Sequence, residues 1–149
     1  MRRLAFVLIA FLGTAALATD GATEAEIPLF MDGSAATLDD FRWLKRPVVV
    51  FADSPNDPRF RQQIDLLEGD PDALAERDVV VLLDASPAAA SALRSSLRPR
   101  GFMLVLVGKD GVVYLRKPQP WTVRELSRSI DKLPLRQQEV EDRRAAPIR

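Results

Sequence analysis

Three aspartates lie where short apolar segments of the sequence end. Asp53 follows the run at 47–52, Asp84 closes the run at 78–84, and Asp57 comes shortly after Asp53. If the two runs are neighbouring parallel strands, their carboxyl ends meet at one edge of the sheet, where binding sites form. Carboxylate oxygens suit Ca²⁺ or Mg²⁺, and two carboxylates can also act as general acid and base. One hypothesis is therefore a cation site, with or without hydrolytic chemistry, built from Asp53, Asp57 and Asp84.

The same loop also has a conformational interpretation. Asp57 precedes Pro58, a pair that is typical of a helix N-cap followed by the first helical residue. Asp53 and Ser54 are residue types that favour a local turn. On this interpretation the loop carries no metal, and Ser54, Asp57 and Arg59 form a surface that could bind another protein.

A second polar segment, "LRQQEVEDRR" at 135–144, follows the last predicted helix. Polar residues are seldom buried without a partner, so Arg136, Gln137 and Glu139 have no place in a hydrophobic core. Two alternatives remain open. Glu139 could pair with an arginine and clamp the segment onto the domain, or all three residues could present a surface to a partner.

The composition excludes several classes of chemistry. The chain has no cysteine and no histidine. It therefore lacks a thiol nucleophile, a CxxC redox pair, thiolate and imidazole metal ligands, and a Ser-His-Asp triad. Basic and acidic residues are equal in number and no basic block stands out, so we expect neither nucleic acid nor an anionic membrane as partner. No cofactor is expected.

The beginning of the chain is typical of a secretory signal peptide. "MRR" precedes the apolar run "LAFVLIAFLGTAALA", which ends in an A-x-A cleavage sequence. This run is shorter than the roughly 20 apolar residues that a membrane-spanning helix needs. We expect cleavage before Thr19, no membrane span in the mature chain, and a periplasmic or secreted protein. The predicted organisation is a signal peptide at 1–18, a lead-in at 19–37, one domain at 38–134 and a polar extension at 135–149.

Four apolar runs predict strands of a sheet. "PVVVFA" (47–52), "DVVVLLD" (78–84) and "FMLVLVG" (102–108) are short, β-branched and not alternating. That pattern is typical of strands covered on both faces. "VVYLRK" (112–117) follows the turn "GKDG", whose Asp-Gly pair favours a hairpin, so the last two strands should be antiparallel. A short strand is also expected in "IPLF".

Helix start signals occupy the gaps between these runs. Asp-Pro at 57–58 and Ser-Pro at 86–87 predict two helix starts. Thr122 with Glu125 forms a capping box at the start of a third helix, which Pro134 is expected to end or kink. The order β-α-β-α-β-β-α predicts an α/β sandwich, with a mixed sheet of four to five strands and helices on both faces.

This order, with "TLDDF" before it and "GKDG" ahead of the last helix, resembles the thioredoxin-like fold in its peroxiredoxin branch. The segments "VVVFADSPNDPRFRQQ", "ERDVVVLL", "LVGKDGVVYLR" and "IDKLPLRQQEVEDRR" are more specifically similar to the P-DUDES group, a domain-of-unknown-function family within that fold. The group includes exported bacterial proteins and domains of the sushi-repeat and DRO/URB/equarin extracellular proteins. The resemblance, which spans residues 38–144, implies the fold and export but no reaction.

Together these observations predict an exported thioredoxin-like domain without thiol redox activity. We expect a non-catalytic module that binds another protein or an envelope component. The candidate binding residues are Ser54, Asp57, Arg59, Arg136, Gln137 and Glu139. The alternative is a Ca²⁺- or Mg²⁺-binding domain or hydrolase that uses Asp53, Asp57 and Asp84.

Overall fold

One mixed sheet of five strands is the centre of the fold. The computed structural model describes residues 25–148, so the predicted signal peptide lies outside the described residues. The strands are β1 (Phe30–Asp32), β2 (Arg46–Phe51), β3 (Val79–Asp84), β4 (Met103–Val107) and β5 (Val113–Lys117). Their order in the sheet is β1-β3-β2-β4-β5. Strands β1, β3 and β2 are parallel, whereas β4 and β5 are each antiparallel to the preceding neighbour. The predicted α/β fold with a mixed sheet is confirmed.

Five helices and two single turns complete the domain. The helices are α1 (Pro58–Glu68), α2 (Pro71–Glu76), α3 (Ala92–Leu97), α4 (Val123–Asp131) and α5 (Pro134–Ala145). Turns of 3-10 helix span Leu38–Phe41 and Pro87–Ala89. None of the helices within residues 25–148 has the length and apolar character required to cross a membrane.

Alternating side chains of the strands build two cores. In β2, Val48 and Val50 pack with residues of α1, α2 and α4 on one face of the sheet. Val49 and Phe51 point to the other face, where α3 and the turn at 38–41 cover them. All four side chains are fully buried. A strand covered on both faces needs apolar residues at every position, which explains the unbroken "VVVF" of the sequence.

Asp-Pro pairs begin two helices. The Asp57 carboxylate accepts the backbone N–H of Arg59 at the start of α1, as predicted. Asp70 does the same for Ala73 at the start of α2, a helix that the sequence analysis omitted although its signal is identical. Proline at the first helical position loses nothing, because the N–H it lacks would have no partner inside the helix.

One predicted helix start was wrong, and one predicted helix end was correct. Pro87 begins a single 3-10 turn, because Ala90 has φ +45° and breaks the helical path; α3 starts only after Ser91. The helix that Thr122 begins ends at Asp131, shortly before Pro134, as expected. Pro134 then occupies the first turn of a separate helix, α5, in the position where its fixed φ is favourable.

Gln63 joins α1 to the loop before α4. Its side chain is fully buried. The amide nitrogen donates to the Trp121 carbonyl and the amide oxygen accepts the Trp121 N–H, both at 2.8 Å. One side chain therefore satisfies both the N–H and the C=O of Trp121.

Substitution Gln63→Ala should destabilise the protein by about 2–4 kcal/mol, because it leaves an N–H and a C=O of Trp121 without partners. The matched control is Gln62→Ala, which removes the exposed neighbouring glutamine and should change stability by less than about 0.5 kcal/mol. Urea unfolding with unchanged slope measures both values. Equal losses in the two variants would contradict this role for Gln63.

Candidate functional site

The loop between β2 and α1, where the sequence predicted a site, is closed by its own hydrogen bonds. The Ser54 hydroxyl accepts the N–H of Asn56 at 3.1 Å, and the Ser54 carbonyl accepts the N–H of Asp57 at 3.1 Å. Asp57 accepts the N–H of Arg59 at 2.9 Å. That bond, together with the hydrogen bond and charge of the Arg59 side chain, holds the pKa of Asp57 below its usual value, although burial acts in the opposite direction. Asp53 is exposed.

Arg59 and Arg61 also bond within this corner. The Arg59 guanidinium lies 3.3 Å from the Asp57 carboxylate and 5.6 Å from the ring centroid of Phe102, a cation–π distance. Arg61 donates to the Asn56 side chain at 2.8 Å. The structure thus brings Ser54, Asp57 and Arg59 together, but their polar groups bond mainly to one another.

Asp84, at the end of β3, is buried beneath an arginine. Its carboxylate lies 3.0 Å from Arg94 Nε and accepts the hydroxyl proton of Ser91. Arg94 also donates to the carbonyl of Ala52 at 2.6 Å and lies 5.4 Å from the ring centroid of Phe51. These contacts connect the carboxyl ends of β2 and β3.

The structure does not gather the three predicted metal ligands. Within residues 25–148, no group of three or more His, Cys, Asp or Glu side chains is placed to hold a metal ion. Asp57 caps a helix, Asp84 binds a guanidinium, and Asp53 points to solvent. A carboxylate that is buried against an arginine is already neutralised, so the predicted cation site lacks a geometric basis.

Glu139 of α5 connects three parts of the chain. One of its carboxylate oxygens lies 2.9 Å from Arg46 of β2 and 2.8 Å from Lys109, which precedes β5. Lys109 also contacts Asp78 at 2.8 Å. The Arg46 side chain is only 1% exposed. This clamp, which we define as Arg46, Glu139, Lys109 and Asp78, fixes α5 against the amino end of β2.

Arg136 is the second buried arginine of this region. Its side chain is 3% exposed and lies 3.6 Å from both Glu76 and Asp131. Asp131 itself forms two hydrogen bonds with Arg77, at 2.9 and 3.0 Å. Arg136 and Glu139 therefore contact the domain, and of the three predicted binding residues on α5 only Gln137 is exposed.

The clamp changes the titration of Glu139. Burial raises the pKa of this carboxyl, but hydrogen bonds from Arg46 and Lys109, together with their charges, outweigh burial and lower the pKa to about 2. A carboxyl with a depressed folded pKa stabilises the protein above its unfolded pKa, and this contribution disappears as the pH falls through the folded value.

Substitution Glu139→Gln should lower stability by about 2–3 kcal/mol at pH 7, in line with the pKa shift. The difference from the unmodified protein should persist above pH 4.5, shrink at lower pH and vanish near pH 2. Urea unfolding at a series of pH values measures it. Glu141→Gln, on the same helix but exposed, is the control and should cost less than about 0.5 kcal/mol. A pH-independent loss would contradict the clamp.

Four large apolar side chains are exposed at the same end of the sheet, which was not predicted from the sequence. They are Trp43, Leu44, Val112 and Tyr114, which are 64%, 53%, 51% and 41% exposed. We call these four residues the aromatic surface. Trp43 has φ +65°, a left-handed conformation that bulky residues rarely adopt. Its N–H donates to the carbonyl of Lys109 at 2.8 Å, so the turn before β2 rests on the β4–β5 turn.

Tyr114 reaches this surface through an irregularity in β5. The β4–β5 ladder shifts register between Leu106 and Val107, which leaves Tyr114 as an extra residue. Its ring covers Gly108, where a Cβ would lie 2.5 Å from a ring carbon, and its hydroxyl donates to Asp110 at 2.6 Å. That hydrogen bond raises the pKa of Tyr114. In the sequence, the only signal was the pair Trp-Leu between basic residues in "RWLK".

Residues 37–139 match the model of a family described as Domain of unknown function (DUF4174). The chain belongs to the DUF4174 family. The matched region includes the aromatic surface and ends at Glu139, so the clamp lies within the DUF4174 domain. No curated protein matches the sequence.

Solved structures similar to this DUF4174 protein include peroxiredoxins. Prx1a of Plasmodium yoelii superposes with a TM-score of 0.53 at 20% identity, over 69% of this chain and 81% of that one. The reduced 2-Cys peroxiredoxin of Plasmodium vivax gives a TM-score of 0.55 at 17% identity, over 70% and 85%. At these identities the likeness establishes the thioredoxin-like, peroxiredoxin-type fold alone.

Proposed function

We propose that this DUF4174 protein is an exported, non-catalytic binding domain that holds another protein through the aromatic surface. The observation that carries the proposal is Trp43, whose large ring is mostly exposed on a strained backbone. A side chain that is exposed contributes little to the core, so packing does not explain the strain. Strained backbone is common at binding sites.

The interface chemistry supports a protein as the partner. Trp and Tyr are enriched at the energetic centres of protein–protein interfaces, because they bury large areas at a low entropic cost. Exposed apolar side chains that are grouped together also mark interaction sites more often than those scattered singly over a surface. Trp43 and Tyr114 flank the same turn, and the clamp holds that turn in place through Lys109.

Absence of thiols supports a non-catalytic role. The chain has no cysteine, and in the corner after β2 the polar groups of Ser54, Asp57 and Arg59 bond to one another. The proposed binding surface therefore lies at the amino end of β2, whereas the sequence favoured its carboxyl end. Export is proposed from the signal-peptide pattern of residues 1–18 and from the resemblance to the exported P-DUDES group.

Substitution Trp43→Gly should raise stability by about 1 kcal/mol, because glycine adopts φ +65° without strain. The same substitution should abolish partner binding. Leu44→Gly is the control: Leu44 is similarly exposed but has an ordinary φ, so glycine there should lower stability. Thermal unfolding measures both variants. A loss of stability in Trp43→Gly comparable to that in Leu44→Gly would show that the tryptophan has a structural role.

Photo-cross-linking tests the location of the binding surface. A photo-reactive amino acid is placed at Trp43, at Arg59 or at Arg128 of α4, and cells that export each variant are irradiated. The expected result is a discrete cross-linked species with the Trp43 variant and none with the other two. Cross-links from the Arg59 position alone would return the binding surface to the corner after β2 and overturn the proposal.

A further inference from the structure

Strand β5 (Val113–Lys117) lies at one edge of the sheet, and its outer side pairs with no strand of residues 25–148. An open edge presents unpaired N–H and C=O groups to which an extended segment can add. The aromatic surface lies at the start of this strand, at Val112 and Tyr114. The open edge of β5 therefore begins next to the aromatic surface, on which the proposed function rests.

Four cations lie near the other end of β5. They are Arg98, Arg100, Arg116 and Lys117, and none of them has a carboxylate of residues 25–148 within ion-pair distance. Seven other Arg and Lys side chains of the described chain do form such pairs. The four cations thus place positive charge without a compensating carboxylate beside the open edge. Seven further cations of residues 25–148 also lack such a pair, but they lie outside β5 and the loop before β4: Lys45, Arg61, Arg124, Arg128, Lys132, Arg143 and Arg144.

Three of these cations are held close together. Arg116 donates to the carbonyl of Leu97, the last residue of α3, and so lies against the loop that carries Arg98 and Arg100. Arg98 caps α3 with φ +48°, and its N–H donates to Arg94 at 2.9 Å. Glycine is the usual residue in this cap, because it avoids the steric strain of the left-handed conformation. An exposed arginine there adds strain and like-charge repulsion to the folded state.

We propose that β5 accepts an extended acidic segment of the partner as a sixth strand, an inference that rests on the proposed function. Opposite charges on paired strands are favourable and like charges are unfavourable. The four cations therefore favour an acidic strand and disfavour both a basic one and a second copy of β5. Backbone hydrogen bonds would supply affinity, and the charges would supply selectivity.

Three synthetic peptides test this inference on the full protein. The first alternates glutamate and valine, the second has lysine in place of each glutamate, and the third keeps the glutamates but has proline at its centre. Calorimetry should show binding of the first and at least about tenfold weaker binding of the others, a difference of about 1.4 kcal/mol. The lysine peptide reverses the charge, and the proline peptide cannot donate from the centre of a strand. Equal affinity of the proline peptide would exclude strand addition.

Matched variants locate the site. Arg98→Gln with Arg100→Gln should weaken the acidic peptide at least about tenfold, whereas Arg124→Gln with Arg128→Gln, on the exposed side of α4, should not. The amides of residues 113–117 should gain protection from hydrogen exchange when the first peptide binds. Binding that is unchanged in the first double variant would overturn the inference.

Two further outcomes separate this inference from the proposed function. If no peptide binds while the Trp43 position still cross-links, strand addition is wrong and the binding surface stands. If the protein sediments as a dimer in which the amides of residues 113–117 are already protected from hydrogen exchange, and no peptide binds, a second copy occupies the edge and the inference is also wrong.

Discussion

The guanidinium of Arg46 lies at the beginning of the central strand β2 and is almost completely buried, against the carboxylate of Glu139. Leaving such a charge without a partner would cost about 3–5 kcal/mol, so α5 has to lie across this end of the sheet. Glu139 also binds Lys109, and the carbonyl of Lys109 receives the N–H of Trp43. One carboxylate thus sets the positions of the last helix, the β4–β5 turn and the aromatic surface.

The two ends of the parallel strands have opposite characters. At the carboxyl end, where sites usually form in such sheets, Arg94 fills the space between β2 and β3 and bonds to Asp84 and Ala52. The loop beside it satisfies its own polar groups. At the amino end, the charged groups of the clamp pair with one another, whereas large apolar side chains are exposed to solvent. The carboxyl end of the parallel strands is therefore occupied by structural contacts, while the large exposed apolar side chains Trp43, Leu44, Val112 and Tyr114 lie at the opposite end.

The sequence was sufficient to predict the fold, because the signals for it are local. Unbroken β-branched runs specify strands covered on both faces, and the caps at Asp57 and Thr122 specify helix starts. The candidate site was not predictable in the same way. Glu139 and Arg46 are separated by 93 positions, and no local pattern indicates which arginine a glutamate will meet. The backbone conformation of Trp43 is one that its residue type disfavours, so propensity gives no indication of it.

Trp43 and Arg98 have left-handed backbone conformations that selection for stability alone does not explain. Four non-glycine residues of the described chain have positive φ, and aspartate at position 78 tolerates it well. Trp43 and Arg98 do not, and each adds about 1–2 kcal/mol of strain to a fold whose total stability is about 5–15 kcal/mol. Glycine would remove both costs. Both side chains are exposed and lie beside β5 or the turn that precedes it, whereas Ala90, which is also left-handed, lies in the loop after β3. A surface that keeps an aromatic ring and an arginine at such positions is more consistent with recognition than with packing.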